Sequence, residues 1–450
     1  MTNPPTEKLN FKLVLPIFII VLVDLLGLTI ILPLLPLYAT AFGASPFVIG
    51  LLAATYPLMQ FAGAPVLGRL SDKYGRKPVL VISQIGTFAG FLLLAGANAL
   101  PVIFLSRIID GLSGANIATA QAAISDVTTE KTRTQGLGLI GAAFGLGFII
   151  GPLIAFAALA ASGNDYRVPA LAAAFFSLLS ILLTVFWFQE TLPEEDRGQN
   201  KNQKTFSLRA LYEGARHPTV GFLLILMFAQ QLVFGGFEQL LALFTLERLG
   251  FNASGNAVLF VFLGLIVVGV QGGAIGKLSR RFGDVKLIYG GLALLAIGLA
   301  LAAFTPQQPL PWYSQAAVEE ELNKQEDGRI PPNQIQLPPD DNKGWLGTGW
   351  LLLVLIPVAI GGSILRPTIN SVITQRVSSQ EIGSILGVST AFSSLANFAA
   401  PIMGGAIFQW AGATTLFLIW GGAIFILLLI ARRKLVPAVD ATPKTDLPAK

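Results

Sequence analysis

The sequence contains no cysteine and a single histidine, His217. Disulfides and thiolate metal sites are therefore excluded, and a histidine-rich metal cluster cannot be built. His217 stands at a polar boundary before Pro218 and reads as a helix-entry residue rather than a proton carrier. Charge is also scarce: 12% of the 450 residues are Asp, Glu, Lys or Arg, against 53% hydrophobic residues and a mean hydropathy of +0.68. So apolar a chain cannot hide its nonpolar surface in one water-soluble core and must meet lipid. Phosphate-binding GxxxxGK(S/T) loops, HExxH and GxSxG are all missing, so neither direct ATP drive nor an enzyme active site is expected, and no cofactor or metal.

What the sequence has is length without charge. Apolar runs near the ~20 residues that cross a hydrocarbon core recur twelve times. They fall at about 13–38, 46–68, 79–97, 101–124, 136–160, 168–189, 219–246, 254–276, 285–304, 348–374, 383–410 and 413–431. Runs such as LLLVLIPVAIGG lack the alternation of a transmembrane barrel, so the expected class is an all-α integral membrane protein. The first run is too long for a signal peptide and lacks a small-residue cleavage pattern, so it is expected to stay as the first span.

The net charge of +5 could suit a nucleic acid, but its placement points to a bilayer. Lys8 and Lys12; Arg69, Lys73, Arg76 and Lys77; Lys131 and Arg133; Arg197 to Arg216; Lys277 to Lys286; Arg376; and the C-terminal tail all fall in alternate loops. The other set holds only Arg167, Arg248, Lys324, Arg329 and Lys343. By the positive-inside rule, both termini are expected in the cytoplasm, with the protein in the plasma (inner) membrane.

An internal repeat divides the chain. GRLSDKYGRKPVL at 68–80 aligns with GKLSRRFGDVKLI at 276–288, a shift of 208, whereas Pro152 aligns with Pro401, a shift of 249. The difference of 41 residues must be an insertion in the second half, and the proline-rich, acidic stretch 306–346 is the one place to put it. It is expected outside the membrane, mostly as a disordered loop with a short helix at 314–324. The expected domains are a six-helix bundle at 1–189, a charged linker at 190–217 and a second six-helix bundle at 218–433. A tail at 434–450 follows, and within the linker 206–218 has one apolar side that could rest on the membrane surface.

GRLSDKYGRK at 68–77 resembles motif A of the major facilitator superfamily. Arg107, Ile108, Ile109, Asp110 and Gly111 resemble its motif B, and Gly147 to Pro152 its antiporter motif C. Asp24, with Pro33 and Pro36 beyond it, looks like the first helix of the tetracycline and drug:proton antiporter branch. The resemblance covers about 13–431 and implies two pseudo-symmetric six-helix bundles rocking about a midplane site. It also implies small-molecule substrates, protons as the coupled ion and a monomer, with no nucleic acid. A proton-coupled metabolite transporter, for a sugar or an organic acid, remains the alternative, and a non-transporting sensor would be expected to carry a soluble domain. Motif C departs from its family at Ala155 and Phe156, where paired glycines are expected.

Each motif also has a direct physical reading. Gly68 and Gly75 permit a tight turn, and the basic residues of motif A anchor it to the cytoplasmic face. The resemblance implies that Asp72 lies at the N-terminus of the eleventh span and that Arg76 pairs with Asp126, forming with Lys77 a latch for the outward-open state. Gly147 and Gly151, four apart, let a neighbouring helix approach, and Pro152 bends their own. The second copy of motif A has Arg280 where the first has Asp72, and needs only a turn.

Charged side chains within spans are costly and need reasons. Arg107, Gly111, Gly114, Ala118, Gln121 and Ser125 share one face of an ideal helix, a cavity wall, with Asn116 opposite. Asp24 and Arg107 have compatible depths and are expected to pair, with Asp24 taking up the proton; the competing arrangement is a local Arg107–Asp110 pair. Gln231, Gly235 and Glu238 share a face of the seventh span, where Glu238 would bind a cationic substrate or a second proton, or sit partly solvated at the helix end. Arg366, before Pro367, is expected to snorkel toward the cytoplasmic side.

Overall fold

The computed structural model describes residues 11–198, 208–323, 335–377 and 382–435. Eleven helical stretches among them are long and apolar enough to cross a membrane. The last, α16 (Ile382–Lys434), would be about 80 Å long if straight, far more than a bilayer core. It is broken at Gly412 (φ 81°, ψ 163°), so it supplies two spans and the total is twelve.

Sequence chemistry explains the other interruptions. The first span is α1 (Phe11–Ile31) followed by α2 (Leu35–Ala41), divided where Pro33 and Pro36 remove backbone donors. The second, α3 (Pro46–Tyr74), starts on Ser45, whose hydroxyl accepts from the Val48 amide (3.4 Å). A single residue, Gly75 at φ 100°, turns the chain into α4 (Arg76–Ala95). The fourth span is α5 (Leu100–Ser113) and α6 (Asn116–Asp126); then come α7 (Glu130–Ser162), α8 (Arg167–Phe186) and the short α9 (Leu208–Ala215).

The remaining spans begin with α10 (Gly221–Leu249). The eighth is α11 (Ala253–Gly269), a π-helical turn at Val270–Ala274 and α12 (Ile275–Phe282). α13 (Asp284–Ala302) and α15 (Leu346–Gln375) precede α16, and the insertion between them contributes α14 (Gln315–Asn323).

Two sets of helices pack internally: α1 on α7 and α8, α4 on α5 and α8, and α3 on α5; then α10 on α16, and α13 on α15 and α16. The sets meet along two seams, α3 against α16 and α7 against α11. One face of the molecule carries Lys73, Arg76, Arg280, Arg281 and Arg432; we call it the basic face and its opposite the far face. Toward the far face the seams are tight. A Cβ on Gly50 would stand 2.2 Å from the Pro401 carbonyl, one on Gly405 2.5 Å from that of Pro46, and one on Gly264 2.7 Å from that of Phe148. Toward the basic face Gly68, Gly138, Gly141 and Gly387 have nothing within 4 Å of the equivalent position. The seams are thus shut on the far side and parted on the basic side.

The insertion is more ordered than expected. Helix α14 matches the expected short helix, while Tyr313, Val318, Leu322 and Ile335 are buried against the bundle. These four apolar side chains anchor a stretch whose overall composition is polar. Residues 324–334 lie outside the described residues.

Candidate functional site

Asp24 lies mid-way along α1, and its Oδ2 accepts a hydrogen bond from Asn116 Nδ2 (3.0 Å). Arg107 does not reach it. Its Nη1 lies 3.1 Å from Asp110 Oδ2, its Nε donates weakly to Ser106 Oγ, and its guanidinium stands 5.6 Å from the Phe91 ring centroid. The expected Asp24–Arg107 pair is therefore corrected to the local Arg107–Asp110 pair. Both of its members are almost fully buried, at 1% and 2% exposure.

The cause is the break between α5 and α6. Gly114 and Ala115 stand outside both helices, so a single helical wheel cannot run from Arg107 to Ser125. The interruption turns Asn116 toward Asp24, while Gln121 is exposed. The glycines of that wall serve packing instead. A Cβ on Gly111 would be 2.7 Å from Met59 Cβ, and one on Gly114 2.5 Å from the Tyr56 hydroxyl.

Asp24 and Asp110 nevertheless share a small cavity with Tyr56 and Thr87. A second small cavity touches Asp24 from the other side, lined by Gln84, Asn116 and Phe188 among others. Asp24 Oδ1 and Gln84 Oε1 are buried without a hydrogen-bond partner among the described residues. Two carboxylates thus face one cavity beside one guanidinium. In a low-dielectric interior that excess negative charge is costly unless a proton joins it.

In motif A, Gly75 makes the turn alone; Gly68 lies inside α3, so the expected two-glycine turn is corrected to one. Arg76, the first residue of α4, is 5% exposed and is held by two carboxylates. Nη1 meets Asp72 Oδ1 (2.5 Å) and Nε meets Asp126 Oδ2 (2.9 Å), while Ser71 Oγ accepts from Nη1 at 2.8 Å. Lys77 is half-buried beside it. The residues leading into the eleventh span, 378–381, lie outside the described residues, and so does the expected Asp72 contact there.

Sequence reasoning missed Glu190. It reads as one acid in a charged linker, yet its carboxylate accepts from the amides of Arg76 (2.8 Å) and Lys77 (3.0 Å), capping α4. A Cβ on Gly75 would lie 2.4 Å from Glu190 Oε2, so this glycine is required both by its positive φ and by close approach. The Gly198 amide also donates to the Asp72 carbonyl (2.9 Å), so the start of the linker is folded onto motif A.

The second copy repeats the geometry with other chemistry. Gly283 (φ 79°, ψ 150°) makes the same turn as Gly75 (φ 100°, ψ 161°), and Gly276 lies within α12. At the position of Arg76 stands Asp284. Its Oδ2 accepts from Ser371 (2.6 Å) and Gln375 (3.0 Å) at the end of α15, and Ser279 Oγ donates to Oδ1. A cation bound by carboxylates in one copy is a carboxylate bound by neutral donors in the other.

Motif C packs α7 on α1. A Cβ on Gly151 would be 2.2 Å from Thr29 Oγ1 and one on Gly147 3.5 Å, with Pro152 following inside the helix. On α10, Gln231 Nε2 donates to Asn397 Oδ1 of α16 (2.9 Å), a partner the sequence did not single out. Glu238 is partly buried about two turns further along.

A family model described as the Major Facilitator Superfamily matches residues 17–318, two thirds of the chain. The chain belongs to the major facilitator superfamily. It is 28% identical over 412 residues to the class B tetracycline resistance protein of Escherichia coli, covering 91% of this chain and 90% of that one. It is equally 28% identical over 405 residues to multidrug resistance protein 1 of Bacillus subtilis (strain 168), covering 90% and 91%. Among solved structures, the human organic anion transporter MFSD10 (TETRAN) superposes with a TM-score of 0.61 at 23% identity, over 96% of this chain and 100% of that one. At that identity the likeness is one of fold.

As a major facilitator the protein is a multi-pass membrane transporter for a small molecule. Family membership does not depend on the corrected contacts: the Asn116–Asp24 bond and the buried Arg107–Asp110 pair are this chain's own arrangement of the motif B region.

Proposed function

We propose that this transporter exports small amphipathic compounds, drugs among them, in exchange for protons by alternating access. The names of the tetracycline- and multidrug-resistance relatives support the substrate class. The observation that carries the coupling is the small cavity lined by both Asp24 and Asp110, of which only Asp110 is paired with Arg107. Asp24 takes and gives up the proton. Its carboxylate has one oxygen held by Asn116 and the other free of protein partners among the described residues, and a small cavity on each side. Arg107 acts on it through Asp110, since a proton on either acid relieves the charge the other must carry.

In this reading the two bundles are 1–189 and 218–433, joined by the linker at 190–217, and the protein works as a monomer in the inner membrane. The basic face is cytoplasmic, with both termini there, and the parted seams make this the inward-facing state. The Arg76–Asp126 pair, which the resemblance implies as a latch of the outward-open state, is made here with the seams parted on the basic side. In this reading Asp72, Gly75, Arg76, Lys77, Asp126 and Glu190 therefore act as a hub that turns with the first bundle rather than as a contact that breaks on turning inward. Gln231 and Asn397 line the substrate path, and Glu238 offers a carboxylate to a cationic substrate or a second proton.

Purified protein in liposomes with an imposed pH gradient tests the proposal. Drug-like dyes should produce substrate-dependent proton movement. A Glu238→Gln variant should lose cationic substrates preferentially; equal loss of cationic and neutral ones would remove that role.

A further inference from the structure

The 41-residue insertion has no counterpart in the first half of the repeat, and its described part does not hang free. It is rooted on the α10–α15 side. The Tyr313 ring packs so closely on Gly250 that a Cβ there would be 2.0 Å away, and the Tyr313 hydroxyl donates to the Pro338 carbonyl (2.9 Å). Gln308 Oε1 accepts from the Leu346 amide at the start of α15 (3.1 Å), and the Gly344 amide donates to the Pro309 carbonyl (2.8 Å).

From that root α14 crosses the far-face seam and touches α2. Glu321 is the side chain at the crossing. Its Oε2 accepts from Asn164 Nδ2 (2.8 Å) in the α7–α8 turn and from Asn252 Nδ2 (3.0 Å) at the start of α11. Its Oε1 accepts from the hydroxyl of Tyr166 (3.3 Å), which is 1% exposed. Ser254 Oγ donates to Asn164 Oδ1 (2.7 Å), completing a polar knot between the two helix sets. Three donors from both sides of the seam converge on an acceptor-only group, the arrangement a carboxylate satisfies best.

We propose that Glu321 is a bolt across the far-face seam: rooted with the second helix set, it holds the Asn164–Tyr166 turn of the first, and must let go before the far mouth opens. This rests on the alternating-access reading above. When the sets part, the Asn252 bond moves with the root, while the bonds to Asn164 and Tyr166 break. A ligand-free protein therefore rests with the far mouth shut, and the insertion sets how rarely it opens.

The absence of native cysteine makes the test direct, because introduced cysteines are the sole labelling sites. Ala161→Cys on α7 and Ala411→Cys on α16, both exposed near the far face, take spin labels in the full-length protein in nanodiscs. Pulsed electron spin resonance then reads the distance across the mouth. Glu321→Ala should raise the long-distance population about tenfold, the scale set by losing a charge-assisted hydrogen bond. Glu321→Gln, which keeps one acceptor oxygen, should raise it less. Tyr166→Phe, deleting one donor, should also raise it and serves if the alanine variant does not fold. Glu319→Ala, which removes a neighbouring exposed acid hydrogen-bonded to Gln315 and not to the seam, should leave it unchanged. A distribution in Glu321→Ala or Tyr166→Phe identical to the parent overturns the bolt. A shifted distribution in protein that moves no protons with any substrate supports the bolt and counts against the exchange reading instead.

Discussion

Asn116 Nδ2 donates to Asp24 Oδ2 across 3.0 Å, tying the start of α6 to the middle of α1. The break at Gly114–Ala115 lies just before Asn116 and resets the helical phase that an unbroken helix would impose on it relative to Arg107. Asn116→Ala removes the donor, worth about 1.5–3 kcal/mol to a charged acceptor. We expect substrate-dependent proton flux per folded molecule to fall about tenfold or more, together with a loss of thermal stability on the order of that bond's worth. Unchanged flux would show that Asn116 does not orient the proton acceptor.

The Arg107–Asp110 pair is buried at 3.1 Å, and removing one partner leaves an uncompensated charge. Arg107→Ala should destabilise the protein by about 3–5 kcal/mol. Adding Asp110→Asn should restore part of that loss, so that the double variant costs less than the two singles together. Thermal unfolding in detergent, followed by tryptophan fluorescence, measures the cycle; additive losses would contradict a direct pair.

Glu190 caps α4 through two amides, and loss of such a cap costs about 1 kcal/mol. Glu190→Ala should lower stability by about that amount and loosen the amides of Arg76 and Lys77 in hydrogen exchange. Gly75→Ala should cost more, since it adds strain at φ 100° to a collision with the same carboxylate. Equal effects, or none, would contradict the cap.

How far this hub was legible depended on the residue. Arg76 and Asp126 were expected to pair because the family resemblance implies it, and the structure brings them to 2.9 Å. Glu190 was hidden because a capping acid in a charged stretch looks like any solvated acid; its role depends on where the chain returns, which composition does not encode. The twelve spans and the shared turn of Gly75 and Gly283 were readable, since apolar length and glycine spacing are local signals. The α5–α6 break was not, as neither proline nor a charged residue marks Gly114–Ala115. The insertion misled for a similar reason: a few buried apolar residues outweigh many polar ones in fixing a loop.

Asp340 sits on the far face, where Lys343 Nζ (3.0 Å) and then the Gln315 amide (3.2 Å) hold its carboxyl below the usual carboxylate range. A depressed folded-state value means its contribution to docking α14 is present above the ordinary value and lost as pH falls through the lowered one. Protection of α14 amides, normalised for intrinsic exchange, should therefore fall in acid below about pH 4. Asp340→Asn should show the lower protection at neutral pH already. Identical pH profiles for parent and variant would contradict this.

The central claim, that Asp24 carries the proton exchanged for substrate, is tested by proton flux in liposomes with an imposed pH gradient, comparing the parent with Asp24→Asn. The parent should release or take up protons when substrate is added, and the variant should bind substrate yet show no substrate-dependent proton movement. Gradient-driven export by Asp24→Asn at the parent's rate would contradict the account.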